Sequence, residues 1–112
     1  MNVADAVHES YEAYKRQMDI FHAKGHDYAG NDDTLANGKA VARAAAALGV
    51  ARLIDKGEPD GVYLFMALWK IQRWCNLRLR AVTPRCETMA DTTDDTANYV
   101  RLAALAQKEA SE

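Results

Sequence analysis

Apolar residues in the first part of the chain recur at the spacing of an α-helix. Between residues 3 and 24 they follow one another at steps of three and four, the spacing that places side chains on one face of a helix. We call this face the N-terminal stripe, and its members are Val3, Val7, Tyr11, Tyr14, Met18 and Phe21. Charged residues occupy the other side, so residues 3–24 are predicted to form an amphipathic helix.

Three further segments are predicted to be helical: the alanine-rich residues 39–55, in which Gly49 is a weak point, residues 61–80, and a last helix from about Glu87 to Lys108. The segments 25–38 and 56–61 are rich in glycine and other turn-forming residues and are predicted to be loops, with Gly25 ending the first helix. Nothing alternates with a period of two. The pattern therefore predicts an all-α fold, a compact bundle of about four helices in a single domain over residues 1–112.

The helix predicted over residues 61–80 has two distinct faces. We expect its apolar face to point into the core, and this face comprises Leu64, Leu68, Ile71, Cys75 and Leu79. The second face mixes cations with apolar and aromatic side chains and comprises Met66, Trp69, Lys70, Arg73, Asn76, Leu77 and Arg80. Lys70 and Arg73 lie one turn apart, so they could contact one phosphate group or one acidic stripe. The apolar members of this second face predict a homo-oligomer, because they are too apolar for the surface of a monomer.

The last helix carries an acidic stripe. At about 100° per residue, one arc of the helix contains Glu87, Asp91, Asp94, Asp95 and Asn98. The opposite side is expected to pack against a neighbouring helix and contains Met89, Thr93, Thr96, Ala97 and Val100. Like charges one turn apart repel by about 0.2–0.5 kcal/mol per pair, so the stripe needs a counter-charge. A divalent cation such as Mg²⁺, a basic helix and solvent all remain open at this point.

Composition narrows the classes of partner. The net charge of −2 gives no general attraction to nucleic acid or to an anionic membrane, and no apolar run approaches the length that spans a bilayer. The two cysteines, Cys75 and Cys86, lack metal-type spacing, which favours a cytoplasmic protein with free thiols. The loop predicted over residues 25–38 is long for so small a domain, and its Asp27 and Tyr28 are candidates for ligand contact.

Three stretches, "KGHDYAG" (24–30), "KIQRWCNL" (70–77) and "ETMADTTDDTANYVRL" (87–102), together resemble the nucleotide modification associated domain 1 family, small helical proteins common in phages. The chain departs from the family pattern at Ala29, inserted between Tyr28 and Gly30, and at Trp69, where the family often has an acid. The resemblance implies functional roles for Lys24, Asp27, Tyr28, Lys70, Arg73, Glu87, Asp91, Asp95, Asn98 and Tyr99. The carboxylate-lined layout is also similar to that of MazG-like nucleotide pyrophosphohydrolases.

The first functional hypothesis is a phage-type nucleotide-binding protein, with Mg²⁺-dependent hydrolysis of a pyrophosphate bond as its enzymatic version. Asp91 and Asp95, with Glu87, would hold the metal, Lys70 and Arg73 would contact the phosphates, and Tyr28 would stack on the base. One alternative is a non-catalytic nucleotide sponge that sequesters a defence signal. The other is a structural helical oligomer in which the two charged faces pair with each other.

Overall fold

The computed structural model describes residues 1–28, 35–80, 83–84 and 88–112, with side chains from 1 to 24 in the first of these ranges. All regular structure in these ranges is helical, so the predicted all-α bundle is confirmed. The helices are α1 (Val3–Tyr28), α2 (Ala36–Leu48), α3 (Val50–Asp55), α4 (Pro59–Arg80) and α5 (Met89–Ser111). None of the described helices is long and apolar enough to cross a membrane.

The helix predicted over residues 39–55 is divided into α2 and α3 at Gly49. Gly49 adopts a left-handed conformation with φ of 86°, which only glycine adopts without steric cost, and its backbone N–H donates to the carbonyl of Ala46. The chain then turns again after Asp55 and enters α4 at Pro59, where a proline is favoured because its missing N–H would be unpaired anyway. Turns containing Gly49 and Gly57 thus connect α2 to α3 and α3 to α4.

The boundaries of the first loop differ from the prediction. Gly25 does not end the first helix, because α1 continues to Tyr28, and α2 begins at Ala36 rather than after residue 38. The predicted loop over residues 25–38 is therefore shorter at both ends, and residues 29–34 lie outside the described residues. A glycine inside a helix costs only about 1 kcal/mol relative to alanine, which the surrounding turns offset here.

The central element is α4, which contacts each of the other four helices. The small core consists of aliphatic and alanine side chains from α2 to α5, namely Val41, Ala45, Val50, Ala67, Leu77 and Ala103. Gly61 allows α3 to approach α4 closely, since a Cβ atom at this position would lie 2.7 Å from the Cβ of Leu53. The closeness of these backbones explains why small residues dominate the core.

The orientation predicted for α4 is wrong in the C-terminal half of the helix. Of the face expected to be inside, Ile71, Cys75 and Leu79 are exposed, and Leu79 keeps 87% of its surface accessible. The face expected to be outside is turned inward instead, with Arg73 and Leu77 buried. The cause is α5, whose buried positions offer a hydroxyl group to the polar face of α4 in addition to apolar contacts.

Candidate functional site

The polar face of α4 meets α5 at a buried hydrogen bond. The side chain of Arg73 is fully buried, and its Nη1 donates to Oγ1 of Thr92, which is itself 1% exposed. The hydroxyl of Thr92 donates in turn to the backbone carbonyl of Thr88, at 3.2 Å. Arg73 was predicted to contact a phosphate, whereas in this structure its buried guanidinium joins α4 to α5.

One turn away, Lys70 and Asp95 form an ion pair. The Nζ of Lys70 lies 3.1 Å from Oδ2 of Asp95, and the lysine side chain is 16% exposed while the carboxylate is 42% exposed. This pair supplies the counter-charge that the acidic stripe was expected to need at Asp95. It also leaves the ammonium group close to the surface, where an anionic ligand could compete with the carboxylate.

Asp91 belongs to the N-terminal cap of α5. Thr88 is the N-cap residue, its side chain accepts from the backbone N–H of Asp91 at 3.0 Å, and Asp91 Oδ2 accepts from the N–H of Thr88 at 3.1 Å. Hydrogen bonding of the Asp91 carboxylate to the backbone N–H and to the side chain of Thr88, aided by the charge of Arg73, lowers the pKa of Asp91 below its ordinary value of 3.8. The carboxylate is therefore ionised at neutral pH and stabilises the start of the helix.

The threonines of the acidic segment also have a structural role. Thr92, Thr93 and Thr96 each donate a hydroxyl hydrogen bond to the backbone carbonyl four residues earlier, at 3.2, 3.0 and 2.7 Å. Threonine hydroxyls can favour non-helical conformations by hydrogen bonding to the nearby backbone. Here all three hydroxyls bond to carbonyls of the helix itself, which is compatible with a helical segment. Only Thr92 is buried enough to serve α4 as well.

A second polar group is buried where α2 meets α4. The side chain of Asn37 is 2% exposed, and in the described part of the chain neither its Nδ2 nor its Oδ1 has a hydrogen-bond partner. The adjacent Gly38 lies against the indole of Trp69, because a Cβ atom built there would be 3.7 Å from the ring atom Cη2. Trp69 also packs edge-on against Phe65, with ring centroids 6.3 Å apart. A buried amide without partners costs about 1–3 kcal/mol, so it requires an explanation.

The other predicted site residues lie on α1 and α5 or outside the described residues. Lys24 is exposed near the end of α1, Asn98 is exposed on α5, and Tyr99 is half-buried on the same helix. The backbone of Asp27 and Tyr28 is helical, but their side chains lie outside the described residues, as does Glu87. The structure thus brings together Lys70 with Asp95 and Arg73 with Thr92.

For the predicted magnesium site, the described residues supply only part of the ligand set. They contain no group of three or more histidine, cysteine, aspartate or glutamate side chains arranged to hold a metal ion. Asp91 and Asp95 each already have a partner, Thr88 and Lys70 respectively. The fit of Mg²⁺ to these two carboxylates is therefore incomplete, and the metal stays a prediction.

The side of α5 that was expected to pack against a neighbour is open in this structure. It forms one wall of a cavity of about 810 Å³, which we call the α4–α5 groove. The lining residues are Ile71, Trp74, Thr93, Thr96, Ala97, Val100, Arg101 and Ala104. The face of α5 that was predicted to be buried is therefore wrong, because the buried residues of this helix are Thr92 and Ala103.

Sequence reasoning missed three contributors to these contacts. The capping role of Asp91 had a readable signal, since a threonine three residues before an acidic residue is typical of a capping box. Thr92 had no such signal, because the sequence around a helical threonine does not indicate a partner on another helix. Asn37 was assigned to a loop because residues 25–38 are rich in glycine and other turn-forming residues.

Comparison with known proteins adds no relative. No protein-family model, no curated protein and no solved structure matches this chain. The resemblance to the nucleotide modification associated domain 1 family therefore stays a prediction from the three quoted stretches.

Proposed function

We propose that this chain is a nucleotide-binding protein that binds its ligand without hydrolysing it and acts as a homo-oligomer. The observation that carries the proposal is the buried amide of Asn37, whose donor and acceptor have no partner among the described residues. An amide presents one donor and one acceptor at a fixed separation, which suits the edge of a nucleobase. A bound base would satisfy both groups and remove their energetic cost.

Two side chains of α4, those of Trp69 and Lys70, suit the rest of a nucleotide. Trp69, which lies against Gly38, offers an aromatic ring of the kind on which bases stack. Lys70 follows it in the chain, and its side chain, which ends in an ammonium group, is 16% exposed. A phosphate could replace Asp95 as the partner of Lys70, since charge-assisted contacts to phosphate are as strong as those to carboxylate.

The absence of hydrolysis is proposed because the acidic residues have other roles. Asp91 caps α5, and Asp95 neutralises Lys70, so neither is held ready for a metal ion. The enzymatic version of the proposal needs Mg²⁺ to displace the ammonium of Lys70 from Asp95 and also to bind Asp91, whose Oδ2 already accepts from Thr88. A binding protein needs only the exchange of one anion for another at Lys70, and this smaller change favours the sponge over the pyrophosphohydrolase.

The low exposure of Asn37 has a kinetic consequence. With only 2% of its surface accessible, the amide can meet a base only after the packing around Asn37 has opened locally. Binding that follows such an opening is slower than the typical association rate of about 10⁵–10⁷ M⁻¹s⁻¹. We therefore expect slow association and slow release, which suits a protein that retains its ligand.

The test is calorimetric binding of a panel of linear and cyclic nucleotides to the wild type, Asn37→Leu, Lys70→Ala and the control Lys56→Ala. Asn37→Leu should abolish binding and yet raise the melting temperature of the ligand-free protein, because it removes a buried amide without partners. Lys70→Ala should weaken binding by roughly ten- to a hundredfold, as expected for the loss of a charge-assisted contact. Lys56 is exposed at the end of α3, so Lys56→Ala should change neither quantity.

Two outcomes would overturn the proposal. If Asn37→Leu binds nucleotide like the wild type, the amide does not recognise the base, and if no nucleotide binds at all, the structural oligomer is the better account. The metal is tested in the same assay with Mg²⁺ or EDTA. We expect equal affinity in both and chemically intact nucleotide after long incubation with Mg²⁺, whereas Mg²⁺-dependent hydrolysis that Asp95→Asn abolishes would establish the enzymatic version.

A further inference from the structure

The N-terminal stripe is exposed along the whole of α1. Tyr11 and Tyr14 each keep 58% of their surface accessible, and Phe21 keeps 63%. The side chains of α1 that are partly covered belong to Glu12, Ala13 and Ala23, which lie roughly 120–160° round the helix from the centre of the stripe. The helix therefore turns its apolar face away from α4, the helix that it contacts.

The α4–α5 groove is apolar and open as well. Ile71 and Trp74 on one wall are 45% and 41% exposed, and Val100 on the other wall is 49% exposed. The α5 wall carries small side chains such as Thr93, Ala97 and Ala104, which allow a helix to approach closely. The stripe carries the opposite set, with three aromatic rings and a methionine, and large side chains facing small ones pack at protein density.

We infer that the N-terminal stripe of one copy of this chain occupies the α4–α5 groove of a second copy, and that the exchange is reciprocal. The lengths agree, because the stripe from Val7 to Phe21 extends about 21 Å and the α5 wall from Thr93 to Ala104 extends about 17 Å at 1.5 Å per residue. A two-fold axis gives both copies the same pair of contacts, the commonest arrangement among homodimers. This inference rests on the homo-oligomer of the proposed function and assigns its surfaces.

The buried area is sufficient for a stable dimer. The stripe has roughly 500 Å² of accessible apolar surface, given about 150–250 Å² for each aromatic side chain and the exposed fractions above. The groove contributes less surface than the stripe, so two reciprocal contacts together bury roughly 1,300 Å², near the lower end of the standard size for specific interfaces. A monomer would expose both surfaces to water, and the stripe alone is as large as the biggest apolar patches on monomeric proteins.

Sedimentation equilibrium at micromolar concentration tests the assignment, with circular dichroism to monitor helix content. Tyr14→Asp places a charge in the stripe and Ala97→Arg blocks the groove, so each variant alone should dissociate with a dissociation constant at least about tenfold higher. The matched control is Ile20→Asp, since Ile20 is 53% exposed on the same helix but lies outside the stripe. This control should remain dimeric.

Mixing the two disruptive variants tests the pairing itself. Tyr14→Asp retains an intact groove and Ala97→Arg retains an intact stripe, so the mixture should form a heterodimer that native mass spectrometry identifies by its mass. The result also stands if one variant is poorly folded alone, because the mixture should then regain helical signal. If the mixture does not associate, the stripe does not occupy the groove.

The remaining outcomes separate this inference from the proposed function. A dimeric wild type with an equally dimeric Tyr14→Asp would retain the oligomer and reject these surfaces. A strictly monomeric wild type would reject both the oligomer and its surfaces, and would be explained if α1 folds back into the groove of its own chain. Nucleotide binding by Asn37 and Lys70 is measured separately and does not depend on either result.

Discussion

Replacing Thr92 by valine should destabilise the protein by about 1.5–3 kcal/mol, the contribution typical of a hydrogen bond to a charged group. Valine has nearly the shape of threonine, so the packing of α5 against α4 changes little. The hydroxyl that accepts from Arg73 is lost, however, at a position where Thr92 is 1% exposed and Arg73 is fully buried. Water therefore cannot replace the lost bond without opening the helix contact.

Thermal melts followed by circular dichroism measure this effect. For a chain of this length, the loss should lower the melting temperature by roughly 5–15 °C. The matched control is Thr93→Val, because Thr93 makes the same kind of hydrogen bond to the carbonyl four residues earlier but is exposed. This control should remain within about 0.5 kcal/mol of the wild type, as surface substitutions usually do. All variants are compared at one protein concentration, since oligomers melt in a concentration-dependent way.

A double-mutant cycle with Arg73→Met isolates the contact. Methionine removes the guanidinium and keeps the apolar stem, so Thr92→Val should cost much less in that background, with a coupling energy of at least about 1 kcal/mol. Two results would refute the reasoning. One is a Thr92→Val protein that melts together with Thr93→Val, and the other is an equal cost of Thr92→Val in both backgrounds.

Two further predictions concern the N-cap of α5 and two glycines. Thr88→Ala should cost about 1 kcal/mol at neutral pH by removing the N-cap of α5. Because the pKa of Asp91 is lowered in the folded protein, its carboxylate stabilises the fold above pH 3.8, and this stabilisation is lost as the pH falls through the lowered pKa. Thr88→Ala should therefore also weaken the dependence of the melting temperature on pH in this acidic range. An unchanged dependence would contradict this prediction. In denaturant titrations, Gly61→Ala should destabilise by about 1–3 kcal/mol through the 2.7 Å approach to Leu53, whereas Gly38→Ala, which meets only an ordinary contact, should be neutral or stabilising. Equal effects of the two glycine substitutions would show that the close approach in α3 and α4 relaxes without cost.

The sequence alone determined the all-α class and the approximate positions of the helices, although it made the first loop too long and joined α2 and α3 into one helix. Helical periodicity and turn residues act within a few positions of one another, so the all-α class and the break before α4 could be read without knowing what each helix contacts. Gly49 was recognised as a weak point of a helix, and it ends α2 in a left-handed conformation that depends only on its own backbone and the preceding turn. Thr88 and Asp91 are also local, because a capping box is closed within one turn of helix.

Tertiary structure alone decided which face of each helix is buried. Apolar spacing indicated Leu79 as a core residue and Arg73 as a surface cation, and the reverse is true, because a hydroxyl nineteen positions along the chain receives the guanidinium. Likewise, Asp95 has its counter-charge on another helix, at Lys70. Burial depends on the partner that a side chain meets across space, and spacing along one helix contains no information about that partner.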